Sequence, residues 1–268
     1  MDDPTQPPPS YSFLDISDSK DTDRPLSPNP GPQTPRRGSD ESSTARSEYY
    51  GSESKHLSTR GHSTRLLEVF HTGSHRNYRI TTSDNTPVYY VNNSHFKPQT
   101  PDVTLQAGSD KTGKVLGVAK FSTMFSKQIP IGLGDPNFNG GRDMAWLMME
   151  RTSSSLVQSE FKFNMKIHQD DPHARTFVWK RSSAAVVGDD AAHSLQNFKL
   201  LYEENGEIVA TFANNGLKSW KKKGKFRIVE GLYGTEWEKA ALLTGLCLIE
   251  RARRRQRASR AGSGAGAS

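Results

Sequence analysis

Thr235-Glu236-Trp237-Glu238-Lys239-Ala240-Ala241-Leu242-Leu243-Thr244-Gly245-Leu246-Cys247-Leu248-Ile249-Glu250-Arg251 is the stretch whose reading decides the fold. Thr235 followed three residues later by Glu238 has the form of a capping box, which opens a helix. Acids stand in the first turn (Glu236, Glu238) and bases near the last (Arg251, Arg253, Arg254, Arg255), as the helix dipole favours. The pattern predicts a helix over about residues 236–256. Its middle, Ala240–Ile249, is apolar on every side, and such a helix must be surrounded by protein or by lipid. Ten residues rise about 15 Å, and a bilayer core is about 30 Å thick. Surrounding protein is therefore expected.

Upstream, the chain supplies the surround. From Ser63 onward, short alternating or apolar runs are split by Gly, Asn, Asp and Pro. They predict strands at 65–70, 76–82, 87–92, 102–107, 113–121, 127–132, 144–150, 157–168, 173–181, 197–204, 207–213 and 224–230. The clearest alternation sets Phe161, Phe163, Met165 and Ile167 against Lys162, Asn164, Lys166 and His168. Hairpin signals lie at Ser83–Thr86, Ser109–Gly113 and Glu204–Gly206. Twelve short strands and one helix apolar all round are satisfied together by a mainly β fold, a twelve-stranded antiparallel barrel enclosing the C-terminal helix.

This combination resembles the tubby C-terminal-like superfamily, which includes tubby proteins, phospholipid scramblases and LURP-one-related proteins; fungal proteins of this kind look most similar. The resemblance is carried by Asp102-Val103-Thr104-Leu105 with Gly113-Lys114-Val115-Leu116-Gly117-Val118-Ala119-Lys120. It is carried also by Lys225-Phe226-Arg227-Ile228-Val229-Glu230-Gly231 and the helix ending Leu248-Ile249-Glu250-Arg251. It covers about residues 63–256 and implies a twelve-stranded barrel around a C-terminal helix. It further implies phosphoinositide binding, membrane association or defence-linked roles. A scramblase-type calcium loop would need several carboxylates at alternate positions; Asp135–Gly140 offers one.

Composition divides the chain. It has 268 residues, 36 Lys+Arg, 29 Asp+Glu, one Cys and 33% hydrophobic residues. Residues 1–62 hold nine of the 15 prolines and carry ten acids and seven bases, a net −3 against +10 for the remainder. That segment, poor in aliphatics, reads as a disordered tail, and residues 257–268 read as a disordered C-terminal tail. One Cys excludes a disulfide scaffold and a Cys-rich zinc site. No basic n-region or apolar h-region opens the chain, so no signal peptide is expected. The expected location is cytoplasmic, peripheral to membranes, with the nucleus as the alternative.

The strongest electrostatic feature is Lys218, Lys221, Lys222, Lys223, Lys225 and Arg227, with Trp220 among them. Clustered bases beside an aromatic suit an anionic lipid surface; a solvated hairpin protecting a sheet edge is the alternative. Lys162, Lys166, His168, Lys180 and Arg181 are candidate extensions. A second run, Arg251, Arg253, Arg254, Arg255, Arg257 and Arg260, reads as a targeting or nucleic-acid segment, a membrane-snorkelling end, or a dipole-matched helix terminus. No motif for sequence-specific nucleic-acid reading is visible.

Gly108–Lys114 nearly matches a P-loop, but Val115 replaces the required Ser/Thr and a strand follows, so a hairpin turn is expected. Cys247 lies in the apolar helix without a neighbouring His, the setting of an inert thiol. Asp170-Asp171 and Asp189-Asp190 read as solvated turns. No metal set or cofactor motif is found, and no enzyme is expected. In the tail, Pro8-Pro9-Ser10-Tyr11 is a PPxY motif, in which Pro8, Pro9 and Tyr11 suit a WW-domain groove. Ser27-Pro28, Thr34-Pro35 and Arg36-Arg37-Gly38-Ser39 resemble phosphorylation sites. The function expected is a non-catalytic, monomeric binding module docking on anionic, phosphoinositide-type membrane lipid. The alternative is a protein-interaction scaffold or nuclear regulator with an Arg-rich targeting segment.

Overall fold

The computed structural model describes residues 62–264 except 95–96, 98–99, 124–125, 153–159, 169, 184–195 and 217–218. The PPxY and phosphorylation motifs, Lys218 and Asp189-Asp190 lie outside the described residues. The side chains of 260–264 are likewise not described.

All twelve expected strands are present: β1 Thr64–His71, β2 Tyr78–Thr81, β3 Pro87–Asn93, β4 Val103–Ala107, β5 Val115–Ala119, β6 Gln128–Leu133, β7 Ala145–Arg151, β8 Phe161–Met165, β9 Arg175–Arg181, β10 Phe198–Tyr202, β11 Glu207–Asn214 and β12 Lys222–Val229. Each pairs antiparallel with its neighbour in sequence, and β1 pairs with β12 from Thr64↔Val229 to Phe70↔Lys222, closing the barrel. Closure leaves no sheet edge. The helix follows as α1, Gly234–Gly264. It runs two turns beyond the expected 236–256, so residues 257–264 are helical where a tail was expected. Glu238 departs from the capping-box pattern: its carboxylate accepts the Gly231 N–H at 3.3 Å and pairs with Arg65 at 3.5 Å.

The helix fills the lumen. Trp237, Ala240, Ala241, Leu243, Leu246, Cys247 and Ile249 are buried among the inward residues of the strands, such as Leu67, Leu105, Ile131, Phe177 and Phe226. Each fully buried Leu or Ile contributes about 1.5–3 kcal/mol. The lone hydroxyl in the apolar segment has a partner on each side. Thr244 Oγ1 accepts the Trp179 indole N–H at 2.9 Å and donates to the Ala240 carbonyl at 2.8 Å. Among the described residues no helix is long and apolar enough to cross a membrane.

Gly245 marks the closest approach of helix and wall. A Cβ there would stand 2.6 Å from the Phe226 ring and 3.1 Å from the Trp179 ring. Alanine gains about 1 kcal/mol of helix propensity, but overpacking a fixed core costs about 1–3 kcal/mol. Gly245→Ala should therefore lower the denaturant midpoint although it is a better helix former. A rise would mean that Phe226 has room to move.

Consecutive antiparallel strands send alternate connections to opposite ends. The β2–β3, β4–β5, β6–β7, β8–β9 and β10–β11 turns sit where α1 begins, here called the near end. The β1–β2, β3–β4, β5–β6, β7–β8, β9–β10 and β11–β12 connections sit where α1 leaves, the far end.

Candidate functional site

The far end gathers both basic runs. Its floor is the middle of α1, where Glu250, Arg251, Arg253 and Arg254 are buried. Arg254 donates from Nε to Glu250 at 2.7 Å, from Nη1 to Asp102 at 3.0 Å and from Nη2 to the Ser94 carbonyl at 2.7 Å. Asp102 also accepts the Phe121 N–H at 2.9 Å. Arg253 donates to Glu250 at 2.8 Å and to the Arg76 carbonyl at 2.9 Å. Arg251 donates to the Ser126 carbonyl and lies 5.1 Å over the Phe161 ring. The β1–β2, β3–β4 and β5–β6 connections are thus each tied to the helix through a guanidinium. Three of the arginines taken as a basic run are structural cations, not part of an exposed targeting segment.

The Lys-rich turn is divided. Trp220 is 87% exposed and Lys221 is exposed beside it. Lys222 is half-buried against the outer wall, bonded to Glu68 at 2.7 Å and placed over Phe70. Lys225 and Arg227 follow at outward positions on β12, between inward Gly224, Phe226 and Ile228; Lys225 stands opposite Glu68. Lys223 turns the other way. The register shifts at Val69/Phe70, and Lys223 Nζ donates to Gln196 Oε1 at 2.6 Å near Arg253. Burial, reinforced by Arg253, lowers its pKa to about 8. One run in sequence therefore becomes an exposed tip, an outer wall and an inward cation. Of the candidate extensions, Lys180 and Arg181 end β9 at the far end, Lys162 lies within β8, and Lys166 and His168 belong to the near end.

His71, at the end of β1, senses this charge. Burial first, then Lys223, His75 and Arg253, lower its pKa from 6.5 to about 4. A neutral imidazole is therefore favoured in the fold over the charged one. The stability it contributes is present above pH 6.5 and is lost as pH falls toward 4. The urea midpoint should fall over that window, and less steeply in His71→Gln. Equal slopes in the two proteins would refute the assignment.

The near end is the acidic one, with Asp84, Asp135, Asp171, Glu203, Glu204 and Glu230 on its turns. A groove of about 510 Å³ there is lined by Asp171, His173, Arg175, Tyr202 and Glu204, of mixed charge. The P-loop-like segment is a β4–β5 hairpin turn, in which Asp110 accepts the Thr112 N–H at 2.8 Å. A Cβ on Gly113 would stand 1.6 Å from the Ala107 carbonyl oxygen. Cys247 is fully buried, and desolvation pushes its thiol pKa well up. Among the described residues no group of three or more His, Cys, Asp or Glu could hold a metal ion.

No family model matches this chain, and no curated protein matches it. Among solved structures it is similar to a protein from Arabidopsis thaliana, at 14% identity and a TM-score of 0.42, covering 72% of this chain and 94% of that one. The twelve-stranded barrel rests on the strand pairing above, not on that likeness.

Sequence reasoning missed the buried network of Asp102, Glu250 and Arg254. A local signal existed, since Glu250 has arginines at i+3 and i+4 directly after an apolar helix. The partner at Asp102 lies 152 residues away, and no local pattern reaches it.

Proposed function

We propose that this chain is a tubby C-terminal-like domain protein acting as a non-catalytic binding module, and that its far end docks on anionic, phosphoinositide-type lipid at the cytoplasmic face of a membrane. One observation carries the reading: the topology sets the exposed Trp220–Lys221 tip and the exposed Arg257 of α1 at the same pole, opposite an acidic one. Bases near an anionic surface contribute about 1 kcal/mol each, and the field falls off over about 10 Å at 0.1 M salt. Trp220 suits the interface between headgroup and acyl chain. The PPxY segment with Pro8, Pro9 and Tyr11 would add a WW-domain partner. The nuclear alternative is weaker, because Arg251, Arg253 and Arg254 are buried.

Cosedimentation of the full chain with phosphatidylcholine vesicles, with and without phosphatidylinositol phosphate, at two salt concentrations, tests this. Binding should require the anionic lipid and weaken with salt. Lys221→Glu combined with Trp220→Ala should reduce it about tenfold or more, since about 1.4 kcal/mol is a factor of ten. Lys166→Glu, at the other end, should leave it unchanged. No binding at low salt, or equal losses in both variants, would overturn the proposal.

A further inference from the structure

β9 and β10 part at the near end. Their pairing stops at Phe177↔Tyr202, and one further bond, from the Glu203 N–H to the Thr176 carbonyl at 3.0 Å, ends the seam. Beyond it the groove of about 510 Å³ opens between two walls. Asp171, His173, Ala174 and Arg175 form one, Tyr202, Glu203 and Glu204 the other. Pockets that take small organic ligands hold about 300–1,000 Å³.

The groove keeps opposite charges apart. Arg175 is half-buried, and its guanidinium makes no ion pair and no hydrogen bond among the described residues. It stands 5.9 Å over the Tyr202 ring and 5.6 Å over the Tyr233 ring. Tyr202 also donates its hydroxyl to Glu204. One tyrosine thus carries the cation on its face and the carboxylate at its tip, and the two do not pair. The side chains of His173 and Glu203 are likewise unbonded among the described residues. The one undescribed residue of the β8–β9 connection, Gln169, is uncharged.

Two further groups lack partners among the described residues. Tyr233 is 4% exposed, and its hydroxyl makes no hydrogen bond. Burial, then the charge of Glu207, pushes its pKa up to about 12, so it remains a donor. Ala174 lines the groove two residues before Thr176, on the same side of the chain, and its N–H and C=O are unbonded. An unpaired backbone edge offers main-chain hydrogen bonds to another peptide.

We propose that this groove binds a short peptide by its two charged ends, the α-carboxylate on Arg175 and the α-ammonium on Glu203 and Glu204, with the peptide backbone against Ala174. A guanidinium fork matches a carboxylate in two parallel bonds. A plain anion would meet Asp171, Glu203 and Glu204, and a plain cation would meet Arg175, so the walls reject a ligand of single sign. The site lies at the end opposite Trp220 and does not rest on lipid docking.

The test is an NMR titration of the ¹⁵N-labelled full chain with trialanine, N-acetyl-trialanine, trialanine amide and free alanine. Trialanine should shift the Ala174, Arg175, Glu203 and Glu204 amides saturably. Blocking either end, or removing the peptide bonds as in free alanine, should weaken binding about tenfold or more, the effect of about 1.4 kcal/mol. Arg175→Gln should weaken trialanine to the level of its amide and leave the amide itself unaffected. Glu203→Gln combined with Glu204→Gln should do the same with respect to the N-acetyl peptide. These matched losses separate recognition from fold, because a misfolded variant would lose every peptide alike. Equal binding of all four ligands, shifts confined to the far end, or no saturable shift with trialanine would overturn the proposal.

Discussion

Asp102→Ala is expected to destabilise the protein by about 3–5 kcal/mol, the cost of breaking a buried ion pair from one side. Asp102 is fully buried, and its carboxylate meets Arg254 at 3.0 Å, the Phe121 N–H at 2.9 Å and Lys120 at 3.5 Å. Its removal leaves the Arg254 guanidinium short of one anion and the Phe121 amide without its acceptor. Domains of this kind are stable by about 5–15 kcal/mol, so the loss is a large fraction of the total. Asp102→Asn keeps an acceptor for Phe121 and gives up the charge, so its loss should be smaller. Urea unfolding of the three proteins decides the matter. Parent-like midpoints in both variants would show that Arg254 needs only Glu250.

Trp237→Ala is expected to cost about 3–5 kcal/mol, the range for emptying a large aromatic from a core. Trp237 is fully buried in the first turns of α1. Its ring centroid lies 4.8 Å from that of Tyr233 and 5.4 Å from that of Phe177. Phe177 in turn stacks on Phe163 at 5.5 Å. This aromatic group seats the start of the helix in the near end, and few of its neighbours can collapse into the space left. Trp237→Phe should recover most of the loss. A deficit below 1 kcal/mol for alanine would mean that the near end is closed by other contacts.

The barrel was legible because its two periods are local. Alternation along strands such as Phe161–Met165, and an apolar run wrapping the whole helix at Ala240–Ile249, leave no other common solution. Strand ends were less legible. The predicted 157–168 overruns Met165, where β8 ends, because alternation continues past the last paired residue; 157–159 lie outside the described residues. The basic site was legible in composition and not in geometry. Lys221, Lys222 and Lys223 are adjacent in sequence, but a period of two and one register shift send them to three environments. The Arg-rich end misled for a different reason. Arginines beyond an apolar helix read as solvated, whereas these meet Asp102, Glu250 and loop carbonyls that only the closed barrel brings near.

The helix that fills the lumen is made after every strand that surrounds it. During synthesis, β1 through β12 emerge with their inward side chains before α1 exists to cover them. Closing β1 on β12 also joins segments at opposite ends of the domain, a high-contact-order step that is slow and exposes apolar surface meanwhile. The order of the chain thus makes its last segment the trigger for cooperative folding. A nascent barrel released before α1 would be a hollow, sticky sheet, and termination between Val229 and the apolar turns of α1 would turn this protein into a client for chaperones instead of a shortened version of itself.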